Sequence, residues 1–267
     1  MSEITEGFKV PDQPTADEKP AKGWQDYGRE WLDTLVVAIS VAMAFRAYFY
    51  EPFKIPTGSM QKTLWGYHTE ANVEKGTWDA FPLSILKWAW TGSRTVDWKA
   101  PVSGTVRCQP RNDGFATVQV GTSAQTWSIP TDACHELHGK FVRAGETFWK
   151  GSITTGDFIF VNRWKWNLWQ PKDGDVMIFS TTGIDRLPQG THYIKRMKAR
   201  PGESYVLEHP VEGRPTEVKM GNDEYFACGD NFNNSFDSRY WGTVPRANLR
   251  GEGAFVFWPF NGWRIIR

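Results

Sequence analysis

One uninterrupted apolar run, followed by no sustained helical period, sets the terms for this 267-residue chain. Residues 35–45 read LVVAISVAMAF between Asp33 and Arg46. That is short for a membrane-spanning helix, which needs about 20 residues. Extending the run to residues 31–50 gives the length, with Asp33 and Arg46 near its ends, where Arg46 can snorkel to the headgroups. Trp31 at one end and Tyr48, Phe49 and Tyr50 at the other are the residue types that anchor at a membrane–water boundary. Two rival readings exist. Ala42-Met43-Ala44 fits a small-residue cleavage site after a short apolar core, as in a cleaved secretory signal. A buried helix of a soluble domain is the other. Residues 1–30 are polar and contain proline, the composition of a disordered tail.

Beyond residue 50 the sequence is punctuated by Gly and Pro, and short β-rich runs stand between them. Asp157-Phe158-Ile159-Phe160-Val161 and Asp175-Val176-Met177-Ile178-Phe179 each start from a Gly-Asp turn and continue as buried strands. Ala254-Phe255-Val256-Phe257-Trp258 reads as a late strand. The expected fold is mostly β, built of several small sheets. The 31 basic residues nearly balance the 30 acidic ones, so no nucleic-acid partner is expected. Three cysteines are too few for a disulfide-stapled miniature fold. Cys108 and Cys134 could pair in an oxidising compartment, leaving Cys228 free; three ordinary buried thiols is the preferred expectation.

Two distant segments carry chemistry. In Pro56-Thr57-Gly58-Ser59-Met60, Ser59 stands between Gly58 and Met60 on a tight turn that a substrate backbone can approach closely. In Tyr193-Ile194-Lys195-Arg196, the apolar neighbours of Lys195 would desolvate its amine and lower its pKa. A neutral lysine can take the proton that makes a serine hydroxyl nucleophilic. A third segment runs from Gly229-Asp230-Asn231 to Asn234-Ser235-Phe236-Asp237-Ser238-Arg239.

Together these segments resemble the bacterial type I signal peptidases, membrane-anchored Ser/Lys proteases that remove signal peptides from exported proteins. Gly156-Asp157-Phe158 and Gly174-Asp175-Val176 add the family's strand segments, and Gly242-Thr243-Val244-Pro245 extends the last one. The resemblance implies an N-terminal single transmembrane helix at 31–50, retained as an anchor, after a cytoplasmic disordered tail at 1–30. A β-rich catalytic domain follows, formed from 51–64 and 156–267 and lying on the outer face of the bacterial plasma membrane. Ser59 would be the nucleophile and Lys195 its base, with the Ser59 backbone N–H and the Thr57 hydroxyl as oxyanion donors. Ser235 would orient the lysine amine, and Asp237, Arg239 and Arg196 would form a supporting ion-pair network. Signal-peptide-bearing precursors and the lipid bilayer are the implied partners, cut after Ala-x-Ala-type sequences, with no cofactor or metal. Phe53, Ile55, Met60, Leu64, Ile178, Tyr193 and Ile194 are the candidates for the shallow substrate pockets, each with core packing as its plainer role.

The sequence departs from the family in places. Thr57 replaces a serine, Lys62 a proline, Ala199 a glycine and Phe232 an arginine. The largest departure is residues 65–155, inserted after the serine segment and expected to form a β-rich subdomain of unknown role. Ala100-Pro101-Val102-Ser103-Gly104 and Val142-Arg143-Ala144-Gly145-Glu146 within it are faintly similar to biotin- and lipoate-carrying barrels, without the lysine turn that bears the cofactor. Cys134-His135-Glu136-Leu137-His138 places its histidines i,i+3, whereas a zinc-protease helix requires i,i+4. A narrower processing protease, such as one maturing pilus subunits, and an inactive signal-peptide-binding homologue are the competing functions.

Overall fold

The computed structural model describes residues 23–111 and 114–267. Helix α1, Trp24–Tyr48, contains the apolar run. Its start at Trp24 makes the last part of the expected tail helical; the rest of that tail lies outside the described residues. The described residues up to Ala44 and those from Phe45 on are separate compact units. Among the described residues no helix is long and apolar enough to cross a membrane. The physical limit is charge placement: the run between Asp33 and Arg46 spans only about 18 Å at 1.5 Å per residue, against a hydrocarbon core of about 30 Å. The expected anchor also overran its element, because Tyr50 opens a strand rather than closing the helix.

That strand, β1 (Tyr50–Lys54), leads into the serine turn Gly58–Met60. Then come β2 (His68–Ala71), helix α2 (Leu83–Thr91), β3 (Ser93–Lys99), β4 (Gly104–Pro110), β5 (Phe115–Val120) and β6 (Thr126–Pro130). A helical turn α3 (Thr131–Cys134), β7 (Phe141–Val142) and β8 (Thr147–Thr154) complete residues 65–155. The chain continues through β9 (Phe158–Asn162), α4 (Lys165–Leu168), β10 (Val176–Ser180), β11 (His192–Ala199), β12 (Ser204–Val206), β13 (Glu217–Lys219) and β14 (Glu224–Cys228). It ends with α5 (Ser238–Trp241), β15 (Val244–Pro245), β16 (Leu249–Trp258) and β17 (Arg264–Ile265).

The main sheet is antiparallel and runs β1-β9-β16-β10-β11-β14-β15, with β17 added on β16. The three runs read as strands appear as β9, β10 and β16, each displaced or extended by a few residues. Strand β10 is buried at every position, which explains its continuous apolar sequence. Residues 65–155 form a three-stranded sheet, β2-β8-β3, and a four-stranded one, β6-β5-β4-β7. Their core joins Val106, Val118, Val120, Ile129, Phe148 and Trp149. Helix α2 has no counterpart in the sequence reading; Gly92, left-handed at φ 67°, caps it by donating to Trp88 O at 2.8 Å.

The 65–155 region leaves and re-enters the rest of the chain at one point. Asp157 N–H donates to Trp65 O at 2.8 Å, and the Asp157 carboxylate accepts from Trp65 N–H at 2.8 Å. The same carboxylate meets Arg264 at 2.5 Å, and Arg264 donates to Thr63 O at 2.7 Å. Gly66 and Gly156 are needed here because a Cβ on either would collide with neighbouring backbone. Because the two ends are tied together, the 65–155 excursion does not pull on the serine turn.

Cys108 and Cys134 form a disulfide, correcting the expectation of three thiols, while Cys228 is free and buried. Strand pairing supplies the reason. Strand β4 pairs with β5, β5 with β6, and β6 runs directly into α3, so the two cysteines lie 6.1 Å apart at Cα. His138 Nδ1 accepts from Cys108 N–H at 3.1 Å and Cys134 is in the disulfide, so two ligand types of the zinc-like run are already engaged. Closing a loop of 26 residues is worth ~3–4 kcal/mol in the chain-entropy picture. A Cys108→Ala/Cys134→Ala variant should therefore unfold at a clearly lower denaturant concentration. A midpoint equal to that of the parent chain would show that the bridge adds nothing.

Candidate active site

Strand β11 lies between β10 and β14, near the middle of the main sheet, and carries Lys195 opposite Met177. The serine turn packs beside it, and the Lys195 Nζ donates to Ser59 Oγ at 2.7 Å. Both side chains are buried, Lys195 with 4% of its surface exposed and Ser59 with 7%. Burial is the main influence on the lysine and lowers its pKa from 10.5 to about 8, partly opposed by the carboxylates of Asp237 and Asp230. Burial also pushes the Cys228 thiol up to about 12, so it remains uncharged near the amine.

Three sets of bonds hold the turn in place. Asn231 N–H donates to Ser59 O at 3.0 Å, and Asn231 Nδ2 donates to Gly58 O at 3.2 Å. Arg196 clamps Asp230 through two contacts of 2.7 and 2.8 Å and also donates to Thr63 Oγ1. Thr63 Oγ1 in turn donates to Asp230 at 2.5 Å. Asp230, Asn231 and Thr63 are positioning residues that the sequence reading did not assign. Gly229-Asp230-Asn231 was within the quoted motif, but only the tertiary contact shows which turn it grips.

Asp237 is fully buried beneath this layer. It accepts from Gly229 N–H at 3.0 Å and forms a paired contact with Arg239 at 2.8 and 3.0 Å. Phe232 stands where the family has arginine, and its ring lies 5.3 Å from the Arg239 guanidinium and 5.7 Å from Lys198 Nζ. The position thus gives those cations an aromatic face in place of another positive charge.

Ser235 is buried, but its hydroxyl has no hydrogen-bond partner among the described residues, so the expected bond to Lys195 is not formed in this arrangement. Thr57 is exposed, with Oγ1 3.4 Å from Ser59 Oγ. The serine turn is a single 3₁₀ turn, whose opening N–H groups lack partners within the turn and so suit an oxyanion. Among the candidate pocket residues, Ile55, Met60, Leu64 and Ile178 are packed in one core cluster, and Met60 and Leu64 are 0% exposed. Their side chains take part in core packing, the plainer role expected for each. Phe53, Tyr193 and Ile194 are half-buried and retain accessible surface.

The inserted region reaches the edge of the site. A Cβ on Gly114 would lie 3.6 Å from Pro56 O and 4.0 Å from Thr57 Cγ2. Tyr67 and Phe115 meet with ring centroids 4.0 Å apart, and Lys54 Nζ lies 4.2 Å above the Tyr67 ring.

Residues 207–258 match the family model for "Signal peptidase, peptidase S26". The match includes Ser235, Asp237 and Arg239 but begins beyond Ser59 and Lys195 in sequence. Over 133 residues the chain is 29% identical to the probable signal peptidase I-1 of Synechocystis sp., covering 42% of this chain and 67% of that relative. It is 30% identical over 132 residues to the signal peptidase I of Leptolyngbya laminosa, covering 41% and 64%. It is 31% identical over 129 residues to the probable signal peptidase I-2 of Synechocystis sp., covering 40% and 58%. The chain thus spans about two-thirds or less of the length of these relatives.

Two stability measurements follow from the buried groups. The folded pKa of Lys195, about 8, lies below its unfolded value of 10.5, so the folded chain binds fewer protons between these values. Its penalty is complete below pH 8 and is relieved as pH rises towards 10.5. Lys195→Met should therefore stabilise the fold at pH 7 by up to ~3 kcal/mol, with the gain fading at high pH. A variant that is less stable at both ends of the range would contradict the desolvation account. Gly229→Ala would drive a methyl into Ser235 and the Ser59 carbonyl, costing ~1–3 kcal/mol and displacing the serine turn. Denaturant midpoints measure both effects.

Proposed function

We infer that this chain, a relative of the type I signal peptidases in a family of serine-type endopeptidases, removes signal peptides from exported proteins. Ser59 is the nucleophile and Lys195 its general base. The observation that carries the reading is the buried 2.7 Å contact between Lys195 Nζ and Ser59 Oγ. A buried amine with a pKa near 8 has a substantial neutral fraction at working pH, and substrate binding excludes further water. When the amine is neutral, the polarity of the contact reverses and the serine O–H donates to the nitrogen lone pair.

In the first step the Ser59 proton passes to Lys195 Nζ as Ser59 Oγ bonds to the scissile carbonyl carbon. The oxyanion formed is met by the Ser59 backbone N–H and the Thr57 hydroxyl. The ammonium then gives its proton to the departing amide nitrogen, the C–N bond breaks and an acyl-serine remains. Lys195 next takes a proton from water, whose oxygen attacks the ester carbonyl. Breakage of the bond to Ser59 Oγ returns the proton to the serine and frees the new carboxylate. Ser235, with a buried and unpartnered hydroxyl, is the group that accepts an amine N–H and aims the lone pair. Asp237, Arg239 and Arg196 hold the surrounding loops and take no proton.

Phe53, Tyr193 and Ile194 border the substrate groove, whose packed floor of Ile55, Met60, Leu64 and Ile178 leaves room for little beyond a methyl group. This supports selection of alanine at the first and third positions before the cut. Helix α1 serves as the membrane anchor, with residues 1–30 cytoplasmic and the domain after residue 50 on the outer face. The Cys108–Cys134 bridge favours that oxidising side. Residue 24 to residue 48 is helical throughout, and Arg46 can reach the interface by snorkelling.

The decisive experiment incubates the detergent-solubilised chain with several unrelated Ala-x-Ala precursors. Cleavage should appear for all of them and be lost in Ser59→Ala, Lys195→Met and the double variant alike, because the two residues act as a unit. Normal turnover by either single variant would remove the mechanism, and cleavage of one native protein alone would favour a narrow processing protease. For the active chain, kcat/KM should rise with pH and level off above about 8. A profile that falls across that range would exclude Lys195 as the base.

A further inference from the structure

A small cationic cleft of about 150 Å³ lies on a side of the domain that the proposed peptidase reaction does not use. Arg163, Arg246 and Arg250 line it together with Asn167 and Trp166, and no carboxylate does. Glu51 lies 3.5 Å from Arg163 and takes up part of its charge, and Glu252 pairs with Lys165 at 2.5 Å. Arg246 donates to Gln170 Oε1 at 2.7 Å and to Tyr225 OH at 2.9 Å, both neutral, so these bonds fix its direction without cancelling its charge. Trp166 is only 8% exposed, its side chain in the core cluster with Met177 and Phe179, and its buried indole N–H has no hydrogen-bond partner among the described residues.

The size of the cleft narrows the ligand class. It is smaller than the range that holds drug-sized ligands and, at roughly 30 Å³ per water, admits a tetrahedral oxyanion with a little solvent. Arginine forks match phosphate oxygens in geometry as well as charge. The surroundings indicate where the phosphate comes from. Arg163 N–H donates to Phe49 O at 3.0 Å, one residue beyond the end of α1, and Trp164 stacks on Phe49 at 5.5 Å. Trp164, Leu168 and Trp169 are exposed beside the cleft, the residue types that settle among lipid headgroups. We propose that this cleft binds the phosphate of an anionic phospholipid headgroup, holding the catalytic domain at the membrane surface. The lipid assignment rests on the reading of α1 as that anchor.

The full chain in non-ionic detergent micelles doped with phosphatidylglycerol or phosphatidylcholine tests this, with retained lipid counted by native mass spectrometry. The parent chain should retain phosphatidylglycerol in preference to phosphatidylcholine. Arg163→Gln/Arg250→Gln, two changes at the accessible rim, should lower that retention about tenfold or more, the loss expected when charge-assisted contacts go. Arg94→Gln/Arg107→Gln, an equal loss of charge on the exposed faces of β3 and β4, should not. Equal retention by the two variants overturns the site. Displacement of the lipid by millimolar inorganic phosphate overturns the lipid assignment in favour of a free-anion site. A parent chain that stays in solution without detergent overturns the anchor, whereas one that needs detergent yet ignores phosphatidylglycerol overturns only the headgroup site. An unchanged melting midpoint in the rim variant shows that its fold is intact.

Discussion

The arrangement depends on keeping an amine dry. An ammonium loses far more on leaving water than a neutral amine does, so a lysine held 2.7 Å from a serine and buried beneath a sheet has a depressed pKa. Keeping it buried takes more than apolar neighbours. Strand β11 must be an interior strand, and β10 and β14 must flank it closely enough to exclude water. The serine turn must also close the remaining side. The carboxylate of Asp237 raises the lysine pKa, and its own charge is taken up by Arg239 and by the Gly229 N–H. A buried acid that attracts a proton to the lysine is thus restrained by a neighbouring guanidinium.

The same need explains why so many bonds converge on one turn. Ser59 lies on a single 3₁₀ turn with few contacts of its own making. Asn231 grips its carbonyls, Thr63 and Arg196 tie it to Asp230, and Asp157 fastens the chain just beyond it. Asp157 is also what makes the 65–155 insertion compatible with the site. By bonding Trp65 in both directions it brings the start and end of the excursion together, so a 91-residue segment counted from 65 to 155 hangs from one joint. The insertion nevertheless returns over Thr57 through Gly114, so its hairpin and the serine loop form neighbouring walls.

Departures from the family pattern are absorbed locally. Phe232 supplies an aromatic face to Arg239 and Lys198, and Ala199 is buried on β11 against Phe226 of β14. Threonine at position 57 keeps its hydroxyl near the serine. None of these changes alters a charge in contact with Lys195, so the proposed chemistry is insulated from them.

What the sequence determined by itself was whatever depends on residue type and local order. The Gly-Asp turns and apolar runs located β9, β10 and β16, and the spacing of the serine, lysine and aspartate segments carried the family resemblance. Apolar continuity located the helix that became α1, but a hydropathy pattern could neither place its start at Trp24 nor show that Tyr50 belongs to a strand. Helix α2 escaped because its nine residues expose apolar side chains and so lack the polar face that marks an amphipathic helix. Only the tertiary structure decided the long-range matters. Strand pairing brought Cys108 to Cys134, packed Met60 and Leu64 into the core, and left the Ser235 hydroxyl without a partner among the described residues. It also brought Arg163 to Arg246 and Arg250, more than 80 residues further along the chain, in one cleft. The physical reason is common to all of these: burial and charge balance depend on which strands become neighbours, and that choice is made by the whole sheet rather than by any one segment.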